Sequence, residues 1–226
     1  MKRKSREIEE KLRNVYERVA EIASKRIPRE AKILTHCHST TVILTLKRAF
    51  RQGRKIEVIC TETRPLFQGI KTAKELSEFG IPTTLIIDSA VRVFMKKVDL
   101  ILLGADCVAS NGAVINKIGS SQIAAVANEL RKPLTIITDS YKFNPLTIIG
   151  FLEPIEERDP KEIINPKRLP KVKIRNPAFD AIPPDYIDAI ITELGVYPPS
   201  QIADIVKEKF EWMRDPFVLR LVRSWI

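Results

Sequence analysis

Five short apolar runs recur from residue 32 onward, separated by stretches of helical periodicity: KILTH at 32–36, KIEVICT at 55–61, PTTLIID at 82–88, DLILLGAD at 99–106 and PLTIITD at 133–139. Their apolar residues are nearly continuous, whereas a strand with one wet face alternates apolar and polar positions. Continuous runs fit strands buried on both sides, and strands joined through helices must pair in parallel because each crossover lays its helix over the sheet. The chain is therefore expected to form a doubly wound, mostly parallel, Rossmann-like α/β sheet. The intervening helices are predicted over STTVILTLKRAFRQG, Gly69–Phe79, Ser89–Lys97 and Asn116–Arg131. Gly53 and Gly80 stand between a helix and the next strand, where a left-handed residue relieves the last carbonyls of the helix.

Ahead of this pattern, Ile8, Leu12, Val15, Val19 and Ile22 repeat at steps of four and three, the seam of a long amphipathic helix over residues 5–26. Residues 1–30 hold ten Lys or Arg against six Glu, mostly off the seam. They read as a solvated face, since a single aromatic residue, Tyr16, stands among the charges where a nucleic-acid surface interleaves several. After Tyr141 prolines accumulate, so the chain crosses the surface in extended pieces before a strand at Tyr186–Thr192 and a helix at Pro199–Trp212. The expected organisation is an N-terminal helix at 1–30, an α/β domain at 31–212 and an apolar, basic tail at 213–226 that docks on another surface.

Composition narrows the functional classes. Among the 226 residues, 44% are apolar and 29% charged, the mix of an ordinary globular protein. No apolar run approaches the ~20 residues that cross a bilayer. Three cysteines leave at least one unpaired and none forms a CxxC pair, which fits a reducing cytoplasm. A net charge of +10 favours anionic partners.

Ligands of open parallel sheets bind beyond the carboxyl ends of the strands, where the loops converge and following helices present their positive ends. Those ends read THCHS, TETRP, DSA, GAD and DSYKF. Cys37 lies just before a helix that Ser39 or Thr40 would cap, a setting expected to lower the thiol pKa and favour the thiolate; taken alone, a buried cysteine is more often a packing residue. Cys60 and Cys107 read as packing residues. His36 and His38 are too few for a zinc site without further ligands; one of them could serve as base for the thiol, or both could be structural. Asp106 follows an apolar strand, where burial would raise its pKa and suit it to donate a proton. Asp88 and Asp139 hold equivalent positions, so position does not rank them. Asn111-Gly112 signals a turn. Asn116 and Lys117 precede a helix whose first turn holds Gly119, Ser120 and Ser121, small residues whose exposed amides suit a phosphate. Arg64 and Lys142 add positive charge. Neither the Walker loop nor the dinucleotide fingerprint is present.

Together THCHS at 35–39, TETRP at 61–65, IDSA at 87–90, GAD at 104–106, NGAVINKIGS at 111–120, YKF at 141–143 and the late NPAFD and IITELG resemble one superfamily. It comprises the alpha, beta and delta subunits of translation initiation factor 2B, ribose-1,5-bisphosphate isomerase and methylthioribose-1-phosphate isomerase. THCHS is most similar to the archaeal ribose-bisphosphate enzymes. Relatives carry a further N-terminal helical domain with an RGA-type phosphate-binding stretch, and nothing like it precedes the helix at 5–26. The resemblance implies an aldose–ketose isomerase of a phosphorylated pentose, with Cys37 moving the proton and Asp106 as its acid partner. It further implies that Asn116, Lys117 and Lys142, with Arg64 as a weaker member, hold phosphate or sugar oxygens. No cofactor or metal is implied, because the change is an internal proton transfer. The partners implied are the sugar phosphate and further copies of the chain; the alternative is a non-catalytic regulatory subunit that contacts a translation factor.

Overall fold

The computed structural model describes residues 2–151 and 153–210. In chain order they form α1 (Lys2–Ser24), β1 (Glu30–Thr35), α2 (Thr40–Arg51), β2 (Lys55–Thr61), α3 (Gln68–Glu78), β3 (Thr83–Ile86), α4 (Val91–Met95) and β4 (Leu100–Leu103). There follow β5 (Cys107–Ala109), β6 (Val114–Lys117), α5 (Ser120–Glu129), β7 (Leu134–Ile137), β8 (Phe143–Asn144), β9 (Phe179–Ile182), β10 (Ala189–Thr192), β11 (Gly195–Tyr197) and α6 (Ile202–Lys209). The main sheet has seven strands in the order β11-β10-β7-β4-β1-β2-β3. All its pairings are parallel except β10 with β11.

Each central strand is apolar along its length because it supplies two cores. Successive side chains of a strand point to opposite faces, so Leu34, Ile101, Leu103, Ile136 and Ile190 enter one core with Met95, Ile123 and Val206 from α4, α5 and α6. Ile33, Leu102, Ile137 and Ile191 enter the other with Val19, Leu46 and Leu76 from α1, α2 and α3. A fully buried side chain of this kind contributes about 1.5–3 kcal/mol. The crossovers thus put three helices on each face, which is the doubly wound arrangement. Gly53 and Gly80 have φ of +80° and +94°, the left-handed values expected just past α2 and α3.

The sequence reading needs correction where strands are short. Asn116–Arg131 is not one helix: Val114–Lys117 is a strand, and α5 begins at Ser120. That strand belongs to a second sheet, in the order β8-β5-β6-β9, whose β5–β6 hairpin turns at Asn111-Gly112. Only Ala189–Thr192 of Tyr186–Thr192 is strand, because Pro184–Tyr186 forms a 3-10 turn. Likewise Pro199–Gln201 is a 3-10 turn and α6 ends at Lys209. Residues 211–212 of the expected last helix and the tail at 213–226 lie outside the described residues.

Candidate active site

The strand order reverses between β1 and β4: the chain winds outward from β1 to β3, then crosses back to β4 on the other side of β1. Loops that leave adjacent strands in opposite directions open a crevice at their carboxyl ends. A cavity of about 340 Å³ lies there, lined by residues 36–41 after β1, Gly104–Asp106 after β4 and Thr138, Asp139 and Lys142 after β7. Asn116 and Lys117 on β6 and Phe179 on β9 wall it with the second sheet, and Tyr16 of α1 and Gln68 of α3 complete the lining. Gly104 lets the loops approach: a Cβ there would lie 2.6 Å from the Ser39 hydroxyl oxygen.

Cys37 has φ +64°, and Thr63, after the neighbouring strand, has φ +62°. Left-handed geometry costs a residue with a side chain about 1–3 kcal/mol and persists only where surroundings over-determine it. Here the Cys37 amide donates to Thr63 Oγ1 at 2.9 Å, and Thr72 donates its hydroxyl proton to the Cys37 carbonyl at 2.7 Å. The Thr63 amide is held by Asp88 Oδ1 at 2.8 Å. Asp88 is thereby a loop-fixing acceptor, since Oδ2 also receives the Arg64 amide at 2.7 Å. The loop presents a half-buried Cys37 to the cavity. Its thiol pKa is raised, not lowered: burial outweighs the His38 amide and Lys117, which favour the thiolate, while Asp106 and Asp88 oppose it. Cys60 and Cys107 are buried, with thiols pushed up to about 12, and neither lines the cavity.

His36 is 2% exposed and both ring nitrogens are bonded. Nε2 lies 2.9 Å from the Ile118 carbonyl, which can only accept, so the Nε2–H tautomer is assigned and Nδ1 accepts the Thr61 hydroxyl at 2.5 Å. Burial lowers its pKa. His36 is a structural brace between β1, β2 and the segment after β6, with no lone pair left to act as base. His38 meets Thr72 Oγ1 through Nδ1 at 3.0 Å, and burial lowers its pKa too.

Asp106 is open to solvent as a residue, yet the protein around its carboxyl still lifts the pKa, with Lys142 and Lys117 pulling it back. Lys117 Nζ sits 4.5 Å from the centre of the Phe179 ring. Asn116 is 5% exposed and its side-chain amide donates to Ser120 Oγ at 2.9 Å. Five of the six residues singled out from sequence, Cys37, Asp106, Asn116, Lys117 and Lys142, therefore line one cavity. Arg64 does not; its guanidinium lies 5.0 Å over the Phe67 ring. The expected phosphate seat at Gly119–Ser121 is occupied by the protein itself. Asp180 accepts the Gly119 amide at 2.8 Å, the Ser121 amide at 3.0 Å and the Ser121 hydroxyl at 2.8 Å.

Sequence reasoning did not select Tyr16, Gln68, Thr138 or Phe179. Tyr16 lies off the seam of its helix and Phe179 falls in the late NPAFD stretch, and the α1–α2 contact and the β6–β9 pairing bring them to the cavity. Asp139 was set aside as one of several strand-end carboxylates; it lines the cavity, and burial raises its pKa.

The fold and this crevice define a doubly wound α/β protein with a thiol and a carboxyl at the switch point, flanked by lysines. The chain belongs to the initiation factor 2 subunit family, whose model matches residues 1–199. It is 48% identical over 198 residues to ribose 1,5-bisphosphate isomerase of Methanocaldococcus jannaschii, covering 87% of this chain and 64% of that protein. It is 50% identical over 200 residues to the protein of the same name from Pyrococcus furiosus, covering 87% and 62%. The chain therefore spans less than two thirds of the length of these relatives. Among solved structures, subunit delta of translation initiation factor eIF-2B from A. fulgidus superposes with a TM-score of 0.78 at 33% identity, covering 96% of this chain and 65% of that one.

Proposed function

We propose that this cavity is the active site of an aldose–ketose isomerase that converts ribose 1,5-bisphosphate into ribulose 1,5-bisphosphate. The observation that carries the reading is a cysteine and a carboxylic acid with a raised pKa on the walls of one cavity that Lys117 and Lys142 also line, in a chain about half identical to proteins of that name. C1 of the substrate carries a phosphate ester, so the sugar ring opens only as the C1–O4 bond breaks. Cys37, as thiolate, takes the proton from C2; the electron pair forms the C1=C2 bond, and Asp106 protonates O4 as it leaves. Asp106 then takes the proton from the 2-hydroxyl, the C2 carbonyl forms, and Cys37 returns its proton to C1. Both groups are restored and the product is an isomer of the substrate. Asn116, Lys117 and Lys142 hold the phosphoryl and sugar oxygens and stabilise the charge that develops.

The raised thiol pKa leaves little of Cys37 as thiolate near neutral pH, so turnover limited by this base should rise with pH. On this reading the protein works in the cytoplasm as an assembly of identical chains, in the nucleoside-salvage route that the family resemblance implies. The test is direct: the full chain is incubated with ribose 1,5-bisphosphate and ribulose 1,5-bisphosphate is followed by phosphorus NMR, for the wild type, Cys37→Ser and Asp106→Asn. Conversion that falls about a hundredfold or more in both variants is expected. No conversion by the well-folded wild type would overturn the reading and favour a non-catalytic subunit related to initiation factor 2B.

A further inference from the structure

The cavity holds two carboxyl groups, and the cycle above uses one of them, Asp106. The other, Asp139, follows β7 and is 4% exposed. Its Oδ1 accepts the Tyr141 amide at 3.0 Å and so caps the 3-10 turn Ser140–Lys142. That task occupies one oxygen and needs no charge, since a serine or an asparagine caps as well. Oδ2 accepts no hydrogen bond from the described residues, and none of their lysines or arginines pairs with it. Nor is Oδ2 sealed in the core as the Thr138 hydroxyl is, so the open space it meets is the cavity that Asp139 lines. Tyr16 of α1 lines the same cavity, and the Asp139 charge helps burial to raise its phenol pKa, so the two are electrostatic neighbours. A carboxyl this deep has given up most of its water, which only hydrogen bonds replace. Burial accordingly raises the Asp139 pKa, while the Tyr141 amide and Lys142 pull it back.

We infer that Asp139 is a specificity residue, whose free oxygen accepts a hydrogen bond from the 3-hydroxyl of the sugar. A carboxylate accepts from hydroxyl groups and repels phosphoryl oxygens, so neither phosphate is its partner. In ribose 1,5-bisphosphate O1 and O5 are esterified and O4 closes the ring, which leaves hydroxyls at C2 and C3. The 2-hydroxyl gives its proton to Asp106 in the cycle above. The 3-hydroxyl takes no part in the proton transfers and is the group left for Asp139. The same side chain caps the turn that carries Lys142, so it ties the lysine and the sugar to one anchor. The inference rests on the isomerase reading, and it adds what recognises the unreacting part of the pentose; it gives Asp139 no step in the proton transfer.

The probe is 3-deoxyribose 1,5-bisphosphate, compared with ribose 1,5-bisphosphate in the full chain, in Asp139→Asn and in Asp139→Ala. Asparagine keeps an oxygen to cap the Tyr141 amide and turns the atom that faces the cavity from acceptor into donor. Turnover gives kcat/KM for both sugars, and calorimetry on the same chains carrying Cys37→Ser gives Kd without conversion. A hydrogen bond to a charged acceptor is worth about ten- to a hundredfold. The wild type should prefer the 3-hydroxylated sugar by about that factor in both measurements; Asp139→Asn should cut the preference to about threefold or less, and Asp139→Ala should abolish it. Each preference compares two sugars on one protein, so a variant that is partly unfolded still reports it. A preference unchanged in both variants, or absent from the wild type, would overturn the inference and, with turnover intact, leave the isomerase standing. The expected ratio of affinities without turnover would uphold Asp139 and count against the isomerase. Binding of neither sugar would overturn both.

Discussion

Replacing His36 by phenylalanine keeps a ring of similar size in the core and removes both nitrogens. Two groups then lose a partner: the fully buried Thr61 hydroxyl, left with only Thr63 Oγ1 at 3.4 Å, and the Ile118 carbonyl. Each buried polar group left unpaired costs about 1–3 kcal/mol, so His36→Phe should destabilise the fold by roughly 3 kcal/mol. With a slope near 3 kcal/mol per molar urea, the midpoint should fall by about 1 M. Adding Thr61→Val should recover part of the loss, because removing both members of a buried bond leaves fewer orphans than removing one. Acid should narrow the gap. The folded-state pKa of His36 lies below the ordinary imidazole value of 6.5, so below that pH the unfolded chain binds a proton that the fold resists. Wild-type stability should therefore decline on acidification from 6.5, and the variant should lack this component. Urea melts at pH 7.5 and 5.5 give both quantities. Destabilisation below about 1 kcal/mol together with loss of turnover would refute the reasoning and make His36 a proton-transfer group.

Alkylation of Cys37 by iodoacetamide should keep accelerating beyond pH 9, because burial raises its thiol above the ordinary value of 9.0; a plateau near neutrality would contradict this. Asp180→Ala removes a cap that accepts three hydrogen bonds from the start of α5 and should cost about 2 kcal/mol in thermal or urea unfolding, with a raised KM because β6 and β9 are paired through Asn116 and Asp180. Gly104→Ala puts a methyl group 2.6 Å from Ser39 Oγ and should cost about 1–3 kcal/mol and most of the turnover, measured by the same melts and by product formation.

The main sheet was legible because its strands bury both faces and so leave continuous apolar runs, and because the helices between them keep a clear seam. The second sheet was not. Its strands have two to four residues, too short for a period to declare itself, and β8 and β9 are separated by a long proline-rich stretch. That blind spot cost one helix boundary, at 116–120, and hid Phe179. The cavity residues were legible because strand ends of a parallel sheet converge; Cys37, Asp106, Asn116, Lys117 and Lys142 followed from that rule together with the family resemblance. Two electrostatic expectations failed for one reason: a sequence does not tell how deeply a group is buried or what already occupies a helix end. The thiol at 37 is raised by its burial, and the amides of Gly119 and Ser121 belong to Asp180.

A crystal of the Cys37→Ser variant grown with ribose 1,5-bisphosphate tests the central claim most directly. One phosphoryl group is expected beside Lys117 and the other near Lys142, with C2 facing residue 37 and the ring oxygen facing Asp106. A sugar bound elsewhere on the molecule, or turned so that neither side chain reaches C2 or O4, would contradict it.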